Sequence, residues 1–258
     1  MDPTSKKPTG GYLAGMLLAF TTWSVLPFRT EDWDRGKKHA LSFLPIVGAF
    51  LGILFWLWTQ LALRIGINRV PFALLSLALV LIYTGGIHID GYMDVADAVA
   101  SHKEKQAKLA ILSDPHVGAF AVIKLIVWLL IYVALLHELH YTQYLFVAAG
   151  FILSRMAAVI TTKVVKPAKQ TGMLASLASN HKRLWIDSAI FLAVLIVIGI
   201  FYLWEALALV LLSILAVIWY RSFSERQFGG ITGDTTGFFI VIYETLVLLS
   251  AALVTWIA

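Results

Sequence analysis

The chain has 258 residues, of which 60% are hydrophobic and only 14% charged, with a mean hydropathy of +0.83. A soluble domain of this size carries about 25% charged residues, so the composition points to a polytopic α-helical membrane protein; the apolar runs are long and continuous, which excludes a membrane β-barrel. There is no cysteine, hence no disulfide, thiolate metal site or cysteine nucleophile, and a net charge of +5 speaks for membrane topology and anionic substrates rather than nucleic-acid binding.

Residues 1–10 are polar, and Lys6 and Lys7 lead into an apolar stretch with no small-residue cleavage site after it, which is not a signal-peptide pattern. Residues 11–28 are apolar but interrupted by Thr21, Thr22, Ser24 and Pro27, and are expected to enter the membrane without crossing it. The loop 29–40 mixes Arg29, Arg35, Lys37 and Lys38 with acids. Residues 41–63 form the first full span, in which Pro45 and Gly48 suit a kinked or closely packed helix. Arg64 and Arg69 flank a turn, and residues 70–87 form the next span.

A polar segment then runs to about residue 118, opening with Thr84-Gly85-Gly86-Ile87-His88-Ile89-Asp90-Gly91-Tyr92-Met93-Asp94-Val95-Ala96-Asp97-Ala98 and closing with Asp114-Pro115-His116-Val117-Gly118. Residues 119–136 and 141–162 are spans, joined by His137-Glu138-Leu139-His140; the second is interrupted by Ser154 and Arg155. A basic loop follows, with Lys163, Lys166, Lys169, Lys182 and Arg183. Residues 185–203 and 206–220 are expected as two spans joined by a tight turn at Trp204-Glu205. A loop over 221–234 ends in Gly229-Gly230-Ile231-Thr232-Gly233-Asp234, and residues 235–257 form the last span.

The expected fold is therefore all-α: a polytopic integral membrane bundle of about seven spans plus an N-terminal non-spanning or re-entrant helix, with residues 1–258 as one catalytic domain. The turns at 137–140 and 203–206 lack Lys and Arg and should face outward, while 88–118, 163–184 and 221–234 should face the cytoplasm. This puts the N-terminus inside, the C-terminus outside, and every polar, glycine-punctuated loop on the cytoplasmic side of the inner membrane.

If the segment from Asp90 onward is helical, Asp90, Asp94 and Asp97 stand at i, i+4 and i+7, within roughly a 60° arc of one face. Carboxylates so placed repel each other unless a cation sits among them, and Mg2+ is the hard cation that takes one or two carboxylates together with substrate phosphate. The alternative is a solvated acidic face. Asp114 and Asp234 are further candidate ligands; Asp234 could equally cap the last helix. His88 could act as general base, phosphate donor or metal ligand, or serve as a hydrogen-bonded structural residue. Gly85 and Gly86 could allow phosphate to approach the backbone, or could end the preceding helix. Gly229, Gly230, Thr232 and Gly233 resemble a backbone nest leading into a helix, suited to phosphate but not a Walker A motif. Arg155, within an apolar run, should be paired or face a polar cavity, where it suits a diphosphate. Lys163, Lys166 and Lys169 could bind an anionic substrate or only mark topology.

Thr84 to Ala98, together with Phe43-Leu44-Pro45-Ile46-Val47-Gly48, Asp114 to Gly118, Ser154-Arg155 and Gly229 to Asp234, resembles the signature of the cobalamin synthase family, the adenosylcobinamide-GDP ribazoletransferases. The motifs occur in family order over nearly the whole chain. The resemblance implies a Mg2+-requiring transferase of the late vitamin B12 pathway, which joins adenosylcobinamide-GDP to α-ribazole or its 5′-phosphate and releases GMP. It implies Asp90, Asp94 and Asp97 around the metal with Asp114 or Asp234, and His88 or an aspartate as proton acceptor. The chain departs from the family pattern at Pro115-His116, where Ser-Arg is usual, and at Val241, where a second glutamate is common beside Glu244. The small-molecule substrates and the lipid bilayer are the expected partners, with self-association or other pathway enzymes as further candidates. A CDP-alcohol phosphotransferase also clusters aspartates on membrane helices, but its motif runs Asp-Gly-x-x-Ala-Arg, and the Ala-Arg does not follow Asp90-Gly91 here. A transporter would set its ionisable groups at the bilayer midplane of several helices rather than at one edge.

Overall fold

The computed structural model describes residues 11–28, 32–140, 143–180 and 203–257, with residues 192, 193, 196 and 200 between the last two segments. Among the described residues the regular structure is helical, and one isolated parallel bridge joins Pro167 to Ile231. Five helices are long and apolar enough to cross a membrane: α3 (Ala40–Ile65), α7 (Ala119–Glu138), α8 (Tyr144–Val164), α10 (Leu203–Phe228) and α11 (Gly233–Ile257). A sixth crossing is available where α4 (Arg69–Thr84) meets α5 (Ile87–Ala100) at a 94° bend. The short helices are α1 (Gly11–Trp23), α2 (Trp33–Gly36), α6 (Lys105–Ile111) and α9 (Met173–Asn180). The protein is thus an all-α, multi-pass membrane protein.

At about 1.5 Å per residue α1 is too short to cross a ~30 Å hydrocarbon layer, as expected for a non-spanning helix. The expected span 185–203 lies outside the described residues except at 192, 193, 196, 200 and 203. Three boundaries differ from the sequence reading. The span 70–87 stops at Thr84, because Gly85 (φ 61°) and Gly86 (φ 77°) adopt left-handed backbone that few other residues tolerate. Their N–H groups bond Ile82 O and Leu81 O at 3.1 Å each, closing α4 and turning the chain into α5. The expected turn at Trp204-Glu205 is the first turn of α10. That helix continues through the polar residues 221–228, because no Gly or Pro intervenes before Gly229 and an Arg221–Glu225 pair at 3.3 Å supports the turn. The loop expected over 221–234 shrinks to four residues.

The seams between helices are built on small residues, as in other membrane bundles. Along α3, a side chain at Gly48 would collide with Phe151 O and with Arg155 Cδ of α8, and one at Gly52 would lie 2.8 Å from Ala148 O. Between α5 and α11, a Cβ at Gly91 would lie 2.6 Å from Asp234 O, and one at Gly237 would lie 3.3 Å from the His88 backbone. At the opposite end of the bundle, Trp256 Nε1 donates to Glu138 Oε2 (3.2 Å) and Gln143 Nε2 to Ala251 O (2.7 Å). The polar elements therefore gather at one end and the helix turns of 138–143 and the C-terminus at the other.

Candidate active site

A cavity of about 310 Å³ opens at the polar end, lined from α1, α3, α5, α8, α9 and α11. Its polar lining includes His88, Asp90, Thr162, Lys169, Thr232 and Asp234.

The α5 helix forms as expected, so Asp90, Asp94 and Asp97 share one face. Close approach at Gly91 and Gly237 then sets the start of α11, with Asp234, beside that face. Thr232 caps α11: its Oγ1 accepts from Thr235 N (3.1 Å), and Thr232 N donates back to Thr235 Oγ1 (2.8 Å). Asp234 is therefore not the cap; its carboxylate accepts a bond from Thr232 Oγ1 at 3.4 Å and lines the cavity. The α5 helix turns 94° away from the direction of α4. There Asp94 is half-buried, and its carboxyl is pushed up to about 6, first by burial and then by the charges of Asp90, Asp234 and Asp97. Those four carboxylates thus feel each other across two helices. Asp97 reaches the next loop, where Gly118 makes room for it; a Cβ at Gly118 would collide with the Asp97 carboxylate.

Asp114 does not join this group. It is exposed and accepts bonds from its own loop, from His116 N at 3.0 Å and His116 Nδ1 at 2.6 Å, which hold its carboxyl below the usual range. Among the described residues no three His, Asp or Glu close round a single point. Mg2+ does not require that many, since it keeps waters and takes substrate phosphate oxygens beside one or two carboxylates. The hard-oxygen donor set of Asp90, Asp94, Asp97 and Asp234 fits it.

The other sequence-derived candidates divide. His88 is buried, lines the cavity, and has an Nε2 without a hydrogen-bond partner. Gly85 and Gly86 make the α4–α5 corner and do not line the cavity. The Gly229–Thr232 loop does not present a nest, because its N–H groups donate inside the protein. Gly229 N bonds Glu225 O (3.2 Å), Gly230 N bonds Ser224 O (3.2 Å), and Ile231 N bonds Lys166 O (3.0 Å). Of the four candidates Gly229, Gly230, Thr232 and Gly233, the last two, at the start of α11, line the cavity beside Asp234. Lys166 contributes its carbonyl to that bridge and keeps an exposed side chain, whereas Lys169 lines the cavity and donates from Nζ to Ser113 Oγ at 2.7 Å. Arg155 is fully buried between α8 and α11, paired with Glu244 and bonded to Phe151 O (3.1 Å) and Ser154 Oγ (3.0 Å), and is not among the residues lining the cavity.

Sequence reasoning missed Thr162 and the apolar lining from Trp23, Leu41 and Leu44, and did not single out Lys169 from its neighbours. Lys169 was visible only as one of several loop lysines, and nothing local distinguishes a cavity-lining Leu from a core one. The preference for small residues along α3 and α8 was the available signal that these helices approach closely.

A model of the family described as Cobalamin-5-phosphate synthase matches residues 15–252. An adenosylcobinamide-GDP ribazoletransferase of Lachnoclostridium phytofermentans is 32% identical over 239 residues, covering 91% of this chain and 92% of the relative. One from Geobacillus thermodenitrificans is 36% identical over 245 residues, covering 90% and 92%. One from Clostridium botulinum strain Alaska E43 is 29% identical over 246 residues, covering 93% and 98%. No solved structure matches the chain significantly.

Proposed function

The chain belongs to the cobalamin-5-phosphate synthase family and catalyses the late cobalamin step for which its relatives are named, and we propose that the α5–α11 edge is where it does so, with Mg2+ as cofactor. The reaction joins adenosylcobinamide-GDP to α-ribazole or its 5′-phosphate. A ribose hydroxyl oxygen forms a bond to the phosphorus that carries the corrinoid side chain, the bond from that phosphorus to the bridging oxygen breaks, and GMP leaves with the electron pair.

The observation that supports this site is that Asp90 and Asp234 line the same cavity as His88, with Asp94 near enough to feel both of their charges and that of Asp97. Bound at these carboxylates, Mg2+ would neutralise diphosphate charge as GMP departs. One or two of Asp90, Asp94 and Asp234 would hold the ion, and Asp97, placed over Gly118, lies against the Asp114–Gly118 loop on the same face. Lys169 and the N-terminus of α11 at Gly233 supply positive potential for phosphate oxygens. His88 takes the proton from the attacking hydroxyl. Arg155 and Glu244 brace α8 against α11 beneath the site rather than touching phosphate. The site faces the cytoplasm, on the inner side of the membrane, as the lysine and arginine distribution of the loops supports.

The test is an assay of purified, folded protein with adenosylcobinamide-GDP, α-ribazole 5′-phosphate and Mg2+, following GMP and cobamide. Metal-dependent release of both products in equal amounts is expected. Turnover undiminished by a chelator would remove Mg2+ from the reading, and no turnover would remove the reaction.

A further inference from the structure

The cavity has a second, quite different wall. Trp23 from α1, Leu41 and Leu44 from α3 and Leu177 from α9 line it, and all four belong to one continuous apolar cluster. Each is nearly sealed from solvent, at 9%, 2%, 2% and 1% exposure. An apolar wall in the same chamber as His88, Asp90, Lys169 and Asp234 calls for a ligand with one flat apolar end and one polar end.

Resting on the reaction assigned above, we propose that this cavity is the ribazole subsite. The dimethylbenzimidazole ring lies against Trp23, Leu41, Leu44 and Leu177, and the ribose extends to the α5–α11 edge. Three considerations exclude the other substrate. The volume, about 310 Å³, is at the small end of ligand pockets and suits a nucleoside phosphate, whereas the corrinoid nucleotide is several times larger. The corrin ring is rimmed with amides, and guanine presents donors and acceptors along its edge; an apolar wall would leave those groups desolvated and unpaired. Dimethylbenzimidazole has a largely apolar perimeter, and its two methyl groups gain from burial against indole and leucine surfaces. With the base on the apolar wall, the sugar hydroxyl is delivered towards the carboxylates and His88, while the corrinoid stays outside and offers only its phosphate to the mouth. Trp23 is then a specificity-determining residue contributed by the non-spanning helix.

Steady-state kinetics of the purified wild-type enzyme with Mg2+ decide this, adenosylcobinamide-GDP being held saturating while the riboside phosphate is varied. Replacing dimethylbenzimidazole by unsubstituted benzimidazole should raise the riboside KM about tenfold, the effect of two buried methyl groups. Trp23→Ala should raise the same KM at least as much and leave the KM for adenosylcobinamide-GDP within about twofold of wild type. Equal KM values for the two ribosides, or a Trp23→Ala effect confined to the corrinoid substrate, would overturn the subsite while leaving the reaction intact. Failure of the wild type to form any cobamide would overturn both together. The riboside comparison needs no variant and so stands even if Trp23→Ala does not fold.

Discussion

Asp94 is half-buried, and burial together with three neighbouring carboxylates pushes its acid up to about 6. The sign of the consequence follows. Its folded pKa lies above its unfolded value, so the folded chain binds more protons, and this contribution to stability is present in acid and lost as pH rises through about 6. Metal-free protein should therefore lose stability through this group between about pH 4 and pH 6, and no further above that. Mg2+, which replaces the proton, should raise the unfolding temperature more at pH 8 than at pH 5; a thermal-shift series with and without Mg2+ at both values measures it. In the same way kcat/KM should climb with pH through about 6. Asp94→Asn keeps the size of the side chain but removes a ligand charge, and is expected to lower kcat at least about a hundredfold with membrane insertion unchanged. Near-normal turnover in that variant would remove Asp94 from the metal site. Thr232 acts differently, through the backbone of α11: Thr232→Ala should cost about 1 kcal/mol in thermal unfolding, because the N–H of Thr235 loses its acceptor.

Helices meet closely where the site needs them to. Gly91 faces the backbone of Asp234, so Gly91→Ala places a methyl where a carbonyl oxygen stands 2.6 Å away and must part α5 from α11. Overpacking of this kind costs about 1–3 kcal/mol, but the larger loss should be in kcat, since Asp90 and Asp94 move relative to Asp234. Comparing unfolding temperature with kcat separates the two. The Arg155–Glu244 pair joins α8 to α11 inside the apolar layer. Removing one partner leaves a buried charge, so Glu244→Ala should destabilise by about 3–5 kcal/mol. If Arg155 bound diphosphate instead, Arg155→Met would raise the KM for adenosylcobinamide-GDP with little loss of stability; the expected result is loss of stability with KM nearly unchanged in the protein that remains folded.

Across the whole molecule, the elements bearing Asp90, Lys169 and Asp234 lie at one end, and Glu138, Gln143 and Trp256 interlock at the other. The chain has no cysteine, so single cysteines report sidedness without background. A membrane-impermeant maleimide added to the cytoplasmic side is expected to label His116→Cys and not Glu138→Cys, and the reverse from outside. The opposite pattern would invert the topology and put the carboxylates away from their nucleotide substrate. A multi-pass architecture also explains why a reaction on polar nucleotides can be run beside a bilayer: the spans are the scaffold, and the chemistry is confined to their ends.

Composition and hydropathy alone determined an all-α membrane protein, because covering backbone polar groups in lipid leaves helices as the solution for long apolar runs. Spacing alone placed Asp90, Asp94 and Asp97 on one face, since a helix repeats every 3.6 residues wherever it forms. The tertiary structure decided everything that depends on a partner distant in sequence. It brought Asp234 to the aspartate face and left Asp114 with His116; it turned the Gly229–Thr232 N–H groups inward, placed Lys169 of the loop lysines at the cavity, and tied Arg155 to Glu244. A local pattern states which groups a segment offers. Which of them are consumed by packing, and which remain at the cavity, depends on helix–helix contacts made across gaps of up to 150 residues, through glycines whose purpose shows only once the facing helix is in place.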